Sequence, residues 1–147
     1  MFNKDETKAT GKLTVEIKDK DGKVKDTRQL TNLVVSDGLD FIASRMKDAT
    51  ATAMSHMAIG TGATAAASGD SSLGTEAARQ ALTSTTVNNN AVSYVASFAA
   101  GTGTGAITEA GILNAASSGT LLCRTVFSVV NKGASDSMTI TWTITIS

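Results

Sequence analysis

Residues 138–146 read Met-Thr-Ile-Thr-Trp-Thr-Ile-Thr-Ile, a strict alternation of large apolar and hydroxyl side chains. Helical spacing would scatter those apolar groups around a cylinder. Only the two-residue period of an extended strand gathers Met138, Ile140, Trp142, Ile144 and Ile146 on one face, with Thr139, Thr141, Thr143 and Thr145 on the other. A slip of one residue would bury the threonines, so the pattern also fixes the register against neighbouring strands. A chain holding this segment is committed to a sheet with one buried side.

Further strand signals follow the same logic. Residues 13–20 alternate Leu13, Val15 and Ile17 against Thr14, Glu16 and Lys18, and Asp21-Gly22 follows at once. That dipeptide supplies the positive φ angles of a two-residue turn, so 23–30 is predicted to fold back antiparallel, with Leu13 opposite Leu30 and Glu16 opposite Thr27. Ile17 then meets Asp26, which calls for a bulge near the turn. After residue 50 the segments 54–59, 78–87, 92–98, 106–113, 121–129 and 138–146 are separated by Gly, Ser, Asn or Asp clusters, with Asn88-Asn89-Asn90 an evident turn. With the hairpin this makes about eight strands. One helix is predicted, about 37–48, capped by Ser36 or Asp37 and striped by Leu39, Ile42, Ala43 and Met46.

At 147 residues the chain suits a single domain able to bury a core without metal or disulfide. The fold class expected is all-β: an antiparallel, jelly-roll-like β-sandwich with an N-terminal hairpin and one short helix. Charge divides the chain in two. Residues 1–50 carry 19 of the 26 formal charges, whereas the Ala/Thr/Ser/Gly-rich residues 51–147 carry seven: Asp70, Glu76, Arg79, Glu109, Arg124, Lys132 and Asp136. A sparsely charged, hydroxyl-rich surface is poorly protected against association, so 51–147 reads as built to touch other protein.

The same arithmetic narrows function. Thirteen basic and thirteen acidic residues leave no basic surplus for a phosphate backbone, so no nucleic-acid partner is expected. No apolar run approaches a membrane span, and the expected site of synthesis is the cytoplasm. One Cys and one His cannot build a disulfide, a Cys-based zinc site or a multi-His site, so no metal and no cofactor is expected. Residues 60–65 (GTGATA) loosely match a dinucleotide-binding loop but are followed by a polar loop in place of a helix. Residues 101–105 (GTGTG) lack the Lys and Ser/Thr of a phosphate loop. Asp19 to Gly22 only partly resembles a calcium loop, since Lys23 and Leu30 occupy later ligand positions. His56 and Cys123 fall inside alternating segments, where such residues pack; Glu109 with Arg124, and Glu76 with Arg79, suit ion pairs that orient loops. No catalytic residues and no small-molecule substrate are expected.

Residues 57–62 (MAIGTG), 73–79 (LGTEAAR), 101–115 (GTGTGAITEAGILNA), 119–127 (GTLLCRTVF), 131–133 (NKG) and 139–144 (TITWTI) resemble a group of small virion structural proteins of tailed bacteriophages. The group also tends to begin with a hairpin and helix similar to 13–46. The resemblance implies either a capsid cement (decoration) protein or a tail, collar or fibre-base component. The absence of internal repeats and heptads favours cement over a fibre. Only six aromatics, with Trp142 assigned to the core, disfavour a receptor-binding tip, and a carbohydrate-binding module stands behind both readings.

The expected partners are therefore the major capsid protein and the chain itself, as a dimer or trimer on the virion surface. The contacts assigned are Lys18, Lys20, Lys23, Lys25 and Arg28 in the charged segment, and Gly60, Thr61, Gly62, Thr102, Gly103 and Thr104 in the glycine-rich loops.

Overall fold

A computed structural model describes residues 6–47 and 50–147. The elements run β1 (Ala9–Lys18), β2 (Val24–Thr31), β3 (Leu33–Val34), α1 (Ser36–Ser44), β4 (His56–Gly60), β5 (Glu76–Ala81), β6 (Ser84–Asn88), β7 (Ala91–Phe98), β8 (Gly105–Leu113), β9 (Leu121–Lys132) and β10 (Ser137–Ile146). They form two five-stranded antiparallel sheets, ordered β2-β1-β10-β7-β6 and β3-β9-β8-β4-β5, which pack face to face. The expected all-β sandwich is present. The strand order keeps each hairpin inside one sheet.

The alternating segment lies at the centre of the first sheet as β10, between β1 and β7. Trp142 sits in a row that reads Leu30, Leu13, Trp142, Tyr94, Thr85 across all five strands. Val15, Ile140 and Ala96 make the next row, and Ile17, Met138 and Phe98 the one after. Met57, Ile59, Ile107, Ile112, Cys123 and Val130 of the second sheet close over them in one apolar cluster. Each full-sized side chain removed from water in this way stabilises the fold by roughly 1.5–3 kcal/mol.

The N-terminal hairpin has the predicted register, including Ile17 opposite Asp26 and a bulge at Ile17/Lys18. Its turn differs. Asp19 N–H bonds the Lys23 carbonyl at 2.9 Å, so three residues turn the chain, with Gly22 at φ +80°. The type I′ turn expected of Asp-Gly needs positive φ at both central positions, and of the two only Gly22 adopts it. The Asp19 carboxylate accepts from the Asp21 and Lys23 N–H groups at 2.9 and 3.0 Å, which makes it a turn former.

Two other expectations are corrected. The run 78–87 is two strands: Leu82 N–H still bonds Ser55, just before β4 of the second sheet, whereas Thr83 N–H bonds Val95 in the first. That crossing, and the two-residue β3, raise the strand count from about eight to ten. The helix ends at Ser44 with Val35 as its N-cap, no side-chain cap, and an inward face of Gly38, Phe41 and Ile42. Leu39, Ala43 and Met46, expected inside, are exposed, Leu39 at 49% and Met46 at 86%. The helix backbone passes so close to the Leu122 carbonyl that a Cβ at position 38 would overlap it, and this contact sets the rotation. Asp48, the predicted helix end, lies outside the described residues.

The buried indole Nε1–H of Trp142 has no protein acceptor. Trp142→Ala is expected to cost about 3–5 kcal/mol by cavity formation. Trp142→Phe should cost about 1–2 kcal/mol, because it also removes an unpartnered buried donor. Urea unfolding of both variants checks the ordering, and equal losses would contradict it.

Candidate functional site

The charge of residues 51–147 collects at the outer face of the second sheet and at one end of the sandwich. Register sets Arg79, Ala58, Gly111 and Arg124 in one row across β5, β4, β8 and β9, with Glu76, Gly60, Glu109 and Val126 in the next. Small residues between the charged ones leave a trough in which residues 61–75 lie against the sheet. A Cβ at Gly60 would overlap the Thr75 carbonyl, and one at Gly62 the Glu109 carboxylate.

Glu109 is 0% exposed and fully used. Its carboxylate accepts from the N–H groups of Gly62 (2.6 Å), Gly74 (2.7 Å) and Thr75 (2.7 Å), and from Arg124 Nε (3.1 Å) and Nη2 (3.0 Å). Arg124 also donates to Asp70 Oδ2 at 2.8 Å and to the Thr64 carbonyl at 3.0 Å. Burial alone would raise the Glu109 pKa, but the three backbone donors and Arg124 outweigh it and hold the carboxyl below its ordinary 4.5. Asp70 is likewise lowered, first by Ala67 N–H and then by Arg124. Glu109 is thus a fixed acceptor whose lone pairs are taken, which leaves it no role in proton transfer.

A second staple works on another loop. Arg79 grips Glu76 at 2.7 and 3.0 Å and donates to the carbonyls of Ala115 (2.9 Å) and Ser118 (2.8 Å). Lys132 forms a third. It is 1% exposed, and Nζ donates to the carbonyls of Ala99 (2.9 Å) and Asp136 (2.8 Å), joining residues 99–104 to the turn at 133–136. Burial depresses the Lys132 pKa while the Asp136 charge opposes this. Lys25, at 2.8 Å, and Gly133 N–H hold the Asp136 carboxyl below its ordinary value. The two ion pairs read from sequence are present; Lys132 and Asp136 were missed, because a lysine is almost never fully buried and no spacing marks this one.

The expected contact residues divide. Gly60 and Gly62 are buried under the Glu109 staple and offer no surface, while Thr61 is exposed. Arg28 turns to Asp26 at 3.0 Å and to the carbonyls of Ser128 and Val129, and Lys25 is taken by Asp136. Lys18, Lys20 and Lys23 remain together at the hairpin turn, Lys18 lying 3.5 Å from Glu16. Rows ending in Ile17, Met138 and Phe98, and the pairing of Gly105 with Lys132, bring this turn to the same end as 99–104 and 133–136. Thr104 is exposed there; Thr102 and Gly103 are half-buried, Gly103 lying over Ile59 and Ala78.

The reactive side chains are packed. Cys123 is buried and burial pushes its thiol well up, so it is held protonated. His56 Nδ1 is 2.8 Å from Ser55 Oγ. Among the described residues no three His, Cys, Asp or Glu side chains are placed to hold a metal ion, and no helix is long and apolar enough to cross a membrane.

Removing one partner of a buried pair strands the other, so Arg124→Met should cost about 3–5 kcal/mol. Because the folded pKa of Glu109 is below its unfolded value, its stabilisation is complete above that unfolded value and is lost as pH falls through the folded one. Stability should therefore decline between about pH 5 and pH 2. Glu109→Gln should be less stable at pH 7 but flatter with acid, retaining slope from Asp70 and Asp136, whose pKa values are also lowered. Urea unfolding across that range checks this; an unchanged slope in Glu109→Gln would contradict it. Compared with protein-family models, curated proteins and solved structures, the chain matches none.

Proposed function

We propose that this chain is a non-enzymatic virion structural protein, a capsid cement (decoration) protein that binds the outside of the major capsid shell of a tailed bacteriophage and stabilises it. One observation carries the reading: all seven charged residues of 51–147 are committed to internal staples. What faces outward on the first sheet is correspondingly bland. Rows of Lys12, Thr143, Ser93 and Thr86, and of Thr14, Thr141, Val95 and Ser84, run from the charged hairpin into a field of hydroxyls. Ser97 and Thr139 hydrogen-bond across it at 3.1 Å.

Hydroxyls cost less to desolvate than charges, and small side chains let another protein approach closely over a broad area. Stapled loops suit a part that must resist force without rearranging. The lysines at the hairpin turn supply attraction to an acidic shell surface, and Thr102 and Thr104 on the adjacent loop supply hydroxyl contacts. Among the described residues no aromatic side chain is exposed, which weighs against stacking on sugar.

The test replaces Lys18, Lys20 and Lys23 together with Ala and leaves Lys25 in its ion pair. Three surface contacts at roughly 0.5 kcal/mol each predict about tenfold weaker attachment to heads stripped of the protein, with a shallower salt dependence. The melting temperature should stay the same. Unchanged attachment and salt dependence would contradict this placement of the lysines.

A further inference from the structure

The four sheet edges are unequal. β2 carries Lys25, Asp26 and Arg28, β5 carries Glu76 and Arg79, and β3 is two residues long. Charge and brevity are the usual protections against edge-to-edge pairing. β6, Ser-Thr-Thr-Val-Asn, has neither: it is uncharged, exposed at every residue, and lies within the charge-free stretch 80–108. Val87 is 70% exposed, on the rim of an apolar groove of about 340 Å³ walled by Phe41, Ile42, Val92 and Tyr94.

The backbone of β6 specifies what can pair there. Asn88 and Ala91 flank the two-residue turn at Asn89-Asn90, so they exchange hydrogen bonds, as do Thr86 and Ser93 two residues on. The N–H and C=O groups of Thr85 and Val87 therefore point away from β7 to the open edge. An antiparallel copy of the same strand, related by a two-fold axis through Thr86, sets Thr85 opposite Val87 and Ser84 opposite Asn88. All four outward groups on each strand then find partners without a shift of register. Val87 of each copy lies beside Thr85 of the other on the groove side, which covers the exposed apolar rim of both.

We propose that β6 is the surface through which a second copy of this chain docks, antiparallel and two-fold related, joining the two first sheets into one ten-stranded sheet. This names the contact behind the self-association expected of the cement protein and rests on that reading for its setting. Five paired residues bury less than the roughly 1,200 Å² of a stable free dimer. The pairing is accordingly weak in dilute solution and is completed where a shell holds copies side by side, as effective concentration rises.

Thr86 sits on the axis in a non-hydrogen-bonded pair, where facing Cβ atoms come to about 4.5 Å, within small adjustment of disulfide geometry. Oxidation of the full chain carrying Thr86→Cys should trap a covalent dimer, whereas Thr27→Cys on the charged β2 edge should stay monomeric; Cys123 is buried and silent in both. Adding Val87→Lys, at an exposed position that leaves the fold intact, should abolish the Thr86→Cys dimer with no change in melting temperature. Equal crosslinking at positions 27 and 86, none at either, or a dimer indifferent to Val87→Lys would overturn the proposal. So would crosslinking of Thr86→Cys to the shell protein, rather than to a second copy, on assembled particles. Loss of the dimer with head attachment intact would leave the capsid reading standing, and the converse result would remove that reading alone.

Discussion

The Glu109 carboxylate, buried beneath the 61–75 segment with five donors aimed at it, is the interaction on which the second sheet depends. An ionised carboxylate out of water is tolerable only when its lone pairs are satisfied, and the segment supplies three backbone N–H groups to that end. The converse also holds. Without Glu109 those N–H groups would lie unpaired against a sheet, so chain and carboxylate hold one another in place. Leu73, Val35, Ala58, Leu113 and Leu121 then form a small apolar cluster on the same outer face. The second sheet is thus covered on both sides, while the first keeps one face open.

Arg79 and Lys132 repeat the device at other loops, Arg79 donating to two carbonyls of residues 115–118 and Lys132 to one carbonyl each of residues 99–104 and 133–136. The consequence reaches the surface. A chain that spends its few charges on fastening its own loops presents hydroxyls, methyls and backbone to its surroundings, apart from the charged hairpin. The uneven charge seen in the sequence is in this way a division of labour, one part polar and solvated, the other pinned from within.

Much of the fold was legible because the two-residue period of β1 and β10 admits only one burial pattern, and the hairpin register followed from it. The Glu109–Arg124 and Glu76–Arg79 pairs were legible too, since so few charges remained to pair within 51–147. Their backbone partners were not, because no local pattern shows that Gly62 and Gly74 converge on one carboxylate from positions twelve residues apart. The crossing at Leu82 was hidden in an unbroken strand-forming run, as either sheet satisfies its hydrogen bonds. The helix face was misread because hydrophobic spacing favoured Leu39 and Met46, whereas close approach to Leu122 required a glycine at the contact. Burial of Lys132 had no signal at all.

A stiff sandwich, loops fastened internally and a hydroxyl-rich open face suit a part whose task is to sit between larger subunits and hold them. Counting the copies of this chain in purified virions, and locating them by electron cryomicroscopy, tests that account most directly. It predicts hundreds of copies spread over the head, as the repetition of a closed shell requires. About a dozen copies or fewer, confined to positions below the head, would contradict it.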